Sequence, residues 1–247
     1  MNLLKSLVIA ALCTFATESQ AQKYLGGDIS LLPTNEKSNS TYLDKDGKPI
    51  TSLFDFFKQE KMNAMRVRLF VNPSDFPNND PNCCQTLDYV KALGKRIKDA
   101  GMSLMLDFHY SDTWADPAKQ WTPKAWENLN DEQLVQKIYD YTKDVLQQMT
   151  EAGAKPDFIQ TGNEISYGML WGSANADANT NTFKKCYPNA DAANWDRFTN
   201  LLKNAGKACR EVCPEAKIIL HTERTAKPNE QKYFYDKMKS ANVDYDI

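Results

Sequence analysis

Ala100-Gly101-Met102-Ser103-Leu104-Met105-Leu106-Asp107-Phe108-His109 is the stretch on which the reading of the fold turns. Upstream of it, over residues 87–100, apolar side chains recur at helical spacing, and Gly101 stands where a left-handed cap ends a helix. Residues 103–108 then form a short apolar run bounded by polar chain, the mark of a buried strand. A long polar loop follows, over 109–131. Helix, tight turn, buried strand and long loop make one unit of a parallel sheet.

The same unit recurs in both directions. Strands are expected at 25–31, 64–71, 103–108, 158–161, 217–221 and from 243 onward, and helices at 53–59, 87–100, 132–152, 195–213 and 230–240. Gly153 repeats the cap of Gly101. Connections after strands are long and polar (72–86, 109–131, 165–190), whereas those after helices are short. That asymmetry belongs to a (β/α) barrel, whose active site is built on the loops at the carboxyl ends of its strands. The competing open doubly wound sheet would open on a Gly-rich phosphate fingerprint, which Gly26-Gly27-Asp28 does not match. The expected fold is therefore α/β, a (β/α) TIM barrel in a single domain over 22–247. With only five units and the start of a sixth strand where a closed barrel needs eight, either that domain is C-terminally incomplete or the fold is smaller than a full barrel.

Composition narrows the function classes. The 247 residues are 42% hydrophobic and 25% charged, with a net charge of −2, which fits one ordinary globular domain and excludes disordered, collagenous and coiled-coil chains. Near-neutral charge offers no basic field for nucleic acid. The apolar stretch 7–16 behind Lys5 is shorter than the roughly 20 residues that span a bilayer. With Ser19-Gln20-Ala21 as a small-x-small cleavage site, residues 1–21 read as a secretory signal peptide, so the protein is expected to be secreted or held at the cell surface. A lipid anchor at Cys13 is disfavoured by the bulky Leu12. Five cysteines remain, namely Cys83, Cys84, Cys186, Cys209 and Cys213, and an exported chain allows one or two disulfides among them. Cys209 and Cys213 have no nearby histidine, so no zinc or other metal site is expected.

The chemistry gathers where strands end. The chain has two histidines, and both His109 and His221 fall at such ends. Arg66 and Arg68 alternate along the second strand, and Asn163-Glu164 follows the fourth. Charge inside a strand is costly unless paired, so these residues together point to a polar cavity at one rim. Glu164, held among aromatic residues, is the candidate proton donor, since such surroundings raise a carboxyl pKa. Asn163 can meet a sugar hydroxyl. Glycoside hydrolysis needs two carboxylates, about 5 to 5.5 Å apart when configuration is retained; one is visible. Tyr110, Trp114, Trp121, Trp126, Tyr167 and Trp171 crowd the same loops and offer the apolar faces that sugar rings need. Trp126 and Trp195 read as packing residues, Trp114 and Trp171 as substrate contacts.

These residues resemble glycoside hydrolase family 53, the endo-β-1,4-galactanases that cut galactan side chains of pectin. The matching segments are Gly26 to Ser30, Met65 to Pro73, Leu106 to Pro117 with its His-Tyr-Ser-Asp-Thr-Trp-Ala-Asp-Pro run, Gln160 to Ile165 with Leu170-Trp171, and Ile219 to His221. The resemblance implies an eight-stranded barrel and a retaining double displacement on β-1,4-galactan or type I arabinogalactan, with Glu164 as acid/base. It implies that Arg68 and His221 support the nucleophile and that Asn163 meets the 2-hydroxyl. Asp28, His109, Asp112, Trp114 and Trp171 would line the cleft. The nucleophilic Glu is expected beyond residue 247, and Glu223 is read as a loop residue. No cofactor is implied, calcium is possible only beyond residue 247, and a monomer is expected. The alternatives are a mannanase-like glycanase of the same clan and a non-catalytic galactan-binding remnant.

Overall fold

In the computed structural model, residues 23–75, 80–174, 183–187 and 192–247 are described. The expected signal segment, Cys13 and parts of the loop 165–190 lie outside them. The order is β1 (Gly26–Asp28), α1 (Leu32–Lys37), α2 (Leu53–Gln59), β2 (Ala64–Leu69), α3 (Leu87–Asp99), β3 (Ser103–Phe108), α4 (Asp131–Glu151), β4 (Phe158–Thr161), α5 (Ala192–Val212), β5 (Lys217–Ile219) and α6 (Pro228–Ser240). All four strand pairings are parallel, and the order in the sheet is the order in sequence, β1-β2-β3-β4-β5. A doubly wound sheet reverses its order at a switch point; a barrel winds on in one direction. The observed order is the barrel's.

Side-chain parity explains the layers. On β2, β3, β4 and β5 the residues Met65, Val67, Leu69, Leu104, Leu106, Phe108, Ile159 and Ile218 are buried in one apolar core with the inner faces of the helices. Helix α4 adds Leu134, Ile138, Val145, Leu146 and Met149, and α5 adds Trp195, Phe198, Leu201, Leu202 and Ala205. The alternate residues fall on the other face, where register aligns Arg68 with Asp107 and Asp107 with Gln160. One face of the sheet is therefore apolar, and the other carries Arg66, Arg68, Asp107 and Gln160 toward the carboxyl ends of its strands.

The helix ends follow their capping residues. Ser52 accepts from Asp55 N, Thr86 from Tyr89 N, and Asn130 forms a reciprocal capping box with Gln133. Gly101 and Gly153 take φ of 75° and 74° just beyond α3 and α4, as their positions imply.

Four expectations are corrected. Helix α1, where no helix is expected, is a six-residue helix opened by Pro33 near its first turn. Strand β1 is shorter than 25–31, because Leu32 N turns back to Ile29 O. Residues 243–247 are not assigned as a strand, although Asp246 N and Ile247 N both donate to Ile218 O and Leu220 N donates to Ile247 O. The five described cysteines are all free thiols, each in its own surroundings: Cys84 beside Thr34, Cys83 beside Thr113, and Cys186 against the Asn194 carbonyl. Burial pushes the Cys186 thiol up to about 12, so it stays protonated and inert. Among the described residues no helix is long and apolar enough to cross a membrane.

Gly26 marks the tightest approach in the sheet. A Cβ there would stand 1.5 Å from the Ala64 carbonyl oxygen, whereas a Cβ on Gly27 would meet nothing within 4 Å. Gly26→Ala should lower stability by about 1 to 3 kcal/mol in urea unfolding, as overpacking does. Gly27→Ala should change it by less than about 0.5 kcal/mol. Equal midpoints for the two variants would contradict this packing.

Candidate active site

The polar face is organised around Asp107, whose side chain on β3 is fully buried. Arg66 on β2 answers it: one guanidinium nitrogen donates to Asp28 Oδ2 at 2.6 Å, the other to Asp107 Oδ2 at 2.5 Å and to Asn163 Oδ1 at 2.9 Å. Gln160 on β4 donates to Asp107 Oδ1. Burial alone would raise the Asp107 carboxyl, but His109, Arg66 and His221 together hold it below its ordinary value. His109 exerts the strongest of these pulls, yet its Nε2, 3.1 Å from Asp107 Oδ2, lacks an aligned hydrogen bond. Its other nitrogen, Nδ1, accepts from Ala115 N at 3.0 Å. The aligned donors to Asp107 are Arg66 and Gln160, and we take Arg66 as its counter-charge.

Beyond β4 the chain makes a sharp turn. Gly162 has φ of 106°, and a Cβ there would stand 2.6 Å from Ile165 Cγ2. Glu164 then takes φ of 50°, a left-handed conformation uncommon for a residue with a side chain. Asn163 binds on every side: Oδ1 accepts from Arg66 and faces His221 Nδ1 at 2.9 Å, while Nδ2 donates to the Ala115 carbonyl at 2.7 Å. Asn163 Oδ1 can only accept, so its 2.9 Å contact belongs to the Nδ1–H tautomer of His221, whereas the 3.4 Å hydrogen bond from Glu164 N belongs to the other tautomer, in which Nδ1 accepts. Burial lowers the His221 pKa, with Asp107 opposing, and so favours the neutral ring.

Glu164 is displaced the opposite way from Asp107. Desolvation raises its pKa, the negative charges of Glu223 and Asp116 raise it further, and His109 and Arg66 pull it down less strongly. Among the described residues no hydrogen bond reaches its carboxyl oxygens. It opens on a cleft of about 350 Å³ lined by Arg66, Arg68, His109, Trp114, Ala115, Asp116, Lys119, Asn163, Glu164 and His221. Arg68 lies 4.5 Å over the Trp114 ring, with only a 3.9 Å ion pair to Asp28 and its buried Nε without a partner. Among the described residues no group of three His, Cys, Asp or Glu side chains is placed to hold a metal ion.

Six of the nine expected site residues thus meet in one cleft: Arg68, His109, Trp114, Asn163, Glu164 and His221. Three do not line it. Asp28 is exposed beside the cleft, where it holds Arg66 and lines a neighbouring cavity. Asp112 is corrected from a lining to a tying role, its carboxylate accepting from Asn72 N and Lys124 N at 2.9 and 2.8 Å. Trp171 is corrected likewise. It is buried, donates from Nε1 to the Tyr167 carbonyl, and packs edge-on to Trp121. Asp107, Gln160, Asp116, Lys119 and Gln120 are the site residues that sequence reasoning missed. Strand parity could have found Asp107, which stands two residues before His109.

The family model for glycosyl hydrolase family 53 matches residues 24–247. The chain belongs to glycosyl hydrolase family 53. It is 37% identical over 225 residues to an uncharacterized protein in the bgaB 5′ region of Niallia circulans, covering 90% of this chain and 57% of that one. It is 32% identical over 252 residues to arabinogalactan endo-beta-1,4-galactanase A of Emericella nidulans, covering 99% of this chain and 64% of that one. Among solved structures, the Ignisphaera aggregans GH53 catalytic domain superposes with a TM-score of 0.75 at 33% identity, covering 90% of this chain and 57% of that one. One of two fungal beta-1,4-galactanases gives 0.73 at 31%, covering 90% and 60%. The chain therefore spans less than two thirds of the length of these family 53 relatives. Its five strands are the first five of a (β/α) barrel.

Removing Arg66 would strand the buried Asp107. Arg66→Met should cost about 3 to 5 kcal/mol at neutral pH, the usual price of breaking a buried pair. Asp107 is depressed below its unfolded value of about 3.9, so its contribution is present above that pH and is lost as pH falls through the folded value. The gap between wild type and Arg66→Met should accordingly shrink in acid. Unfolding curves at neutral pH and near pH 3 check this, and a gap independent of pH would refute it.

Proposed function

We propose that the protein is an exported, retaining endo-hydrolase of β-1,4-galactosidic bonds in galactan and type I arabinogalactan, with Glu164 as general acid/base. The observation that carries this reading is Glu164 itself, a carboxyl with a raised pKa and no hydrogen bond among the described residues, at a strand end in a cleft walled by Arg68, His109, Trp114 and His221. Family 53 membership and the galactanases among its relatives support galactan over mannan. The signal-like segment 1–21 supports export to an extracellular polysaccharide.

Glu164 in its acid form protonates the departing galactosyl oxygen while a nucleophilic carboxylate attacks the anomeric carbon from the opposite side. Glu164, now ionised, takes a proton from water that attacks the glycosyl-enzyme, and the configuration is retained. The other carboxylates near Glu164 are engaged: Asp28 and Asp107 by Arg66, Glu223 by the Ser166 hydroxyl, Asp116 by the turn it closes with Lys119. The resemblance to family 53 supports a nucleophilic Glu from a later strand than β5. Arg68, with an unused donor, is the cation suited to receive it. Asn163 has one amide proton left after serving Ala115, and that proton suits the 2-hydroxyl of the sugar being cleaved.

The test is product analysis by the complete protein on purified galactan and on mannan. Galacto-oligosaccharides released with β configuration are expected; release from mannan alone, or from neither, overturns the assignment. Glu164→Gln should lower kcat on galactan by about 10² to 10⁴. An unchanged turnover number removes Glu164 from its role.

The direction of the Glu164 shift sets the pH profile. The group must enter the reaction protonated, so kcat/KM should fall as pH rises through its raised value. Glu223→Gln and, less strongly, Asp116→Asn each delete a negative neighbour and should move that alkaline limb to lower pH. A limb that stays put in both variants would assign it to another group.

A further inference from the structure

The left-handed turn at Glu164 needs something to hold it. A side-chain-bearing residue in that region stores strain of about 1 to 3 kcal/mol and persists only where its surroundings over-determine it. Side chains meet that need from outside the turn: His221 Nδ1 accepts from Glu164 N at 3.4 Å, and a second side chain holds the carbonyls. Gln120, buried in the loop that follows β3, donates from Nε2 to the Asn163 carbonyl at 2.7 Å and to the Glu164 carbonyl at 3.3 Å. The turn brings two successive carbonyls to one side, and the two protons of a single amide reach both. Gln120 is itself fixed, since its own carbonyl accepts from Trp171 N at 2.8 Å. Thr122 N donates to Gly172 O at 2.8 Å two residues further on, so the loops after β3 and β4 run paired at this point.

We propose that Gln120 is a positioning residue for the acid/base: its amide locks the backbone of Asn163 and Glu164 so that the Glu164 carboxyl is held over the departing oxygen. The inference rests on the role proposed for Glu164. The chemistry requires an amide here. A carboxylate would face two carbonyl oxygens with no proton to give, and an apolar residue would leave both carbonyls buried without a donor, each at a cost of about 1 to 3 kcal/mol. Relaxation of the turn would remove that cost and carry Glu164 away from its pose. Displacements near 1 Å in a reacting group reduce rates by about 10².

Leaving-group dependence separates positioning from mere support of the fold. Proton donation matters for a sugar leaving group and hardly matters for dinitrophenolate, which departs unaided. In the complete protein, Gln120→Met should lower kcat on galactan by about 100-fold with KM little changed, and should leave the first, burst-phase turnover of a dinitrophenyl β-galactobioside near the wild-type rate. Gln120→Glu, the same length and able to donate when protonated, should recover part of the galactan rate at acid pH and lose it as the pH rises. Equal losses on both substrates, or no loss on galactan, overturn the proposal, as does a Glu variant that behaves like Met at every pH. If Gln120→Met fails to fold, Gln120→Glu decides alone by that pH dependence. Glu164→Gln run beside them keeps the two claims distinct. If it shows the leaving-group dependence and the Gln120 variants do not, only the Gln120 assignment falls; if it shows none, the reading of Glu164 itself falls.

Discussion

A buried carboxylate on the inner face of a β-strand is the constraint around which this half of the barrel is built. Asp107 has no access to water, and an ion of its kind loses several kcal/mol of hydration on entering such a place. The fold compensates with donors from the two neighbouring strands, Arg66 from β2 and Gln160 from β4, and with the His109 ring 3.1 Å away just past β3. Arg66 in turn needs more than one acceptor, and it finds them in Asp28 at the end of β1 and in Asn163 beyond β4. A single unfavourable burial thus ties four strands together at the same height. Those ties place the backbone that carries Glu164.

Parallel register makes the arrangement economical. In-register residues of adjacent parallel strands point to the same face, so Arg68, Asp107 and Gln160 fall in a row without any loop having to place them. The apolar partners Val67, Leu106 and Ile159 form the matching row on the other face, under the helices. Positional precision at the cleft therefore derives from the sheet, and the loops need only close over it. They do so by short backbone and side-chain links, among them Ala115 to His109, Ala115 to Asn163 and Gln120 to the 163–164 turn.

Most of the elements were legible in the sequence because periodicity and capping agreed. Helix α2 falls on the expected residues, and α3 to α6 differ from expectation by only a few residues at their ends. Helix α1 escaped because six residues are too few to show a period, and Pro33 reads as a breaker as readily as a first-turn residue. At the site, histidine scarcity singled out His109 and His221, and both face the cleft. Trp171 was misplaced because composition cannot say which way a loop aromatic turns: the ring that a sugar would stack on and the ring that anchors the loop are the same residue type. Asp112 failed for a related reason, since an Asp in a loop accepts from backbone amides as readily as it meets a ligand. Gln120 carried no signal at all. A neutral amide in a polar loop acquires meaning only once the turn it serves is seen.

Asp107 and Glu164 show how one set of cations can drive two carboxylates apart. Both are partly or wholly withdrawn from water, and both feel His109 and Arg66. Burial is greater at Asp107, so desolvation alone would make it the weaker acid of the two. The order is inverted by contact. Arg66 touches Asp107, whereas among the described residues no hydrogen bond reaches the Glu164 carboxyl, and Glu223 and Asp116 add like charge there. Direct ion pairing outweighs burial at the first carboxylate, and its absence lets burial prevail at the second. A site that needs one permanent anion to organise it and one acid with a proton to give can obtain both when a single arginine is committed to the first carboxylate and like charges stand beside the second.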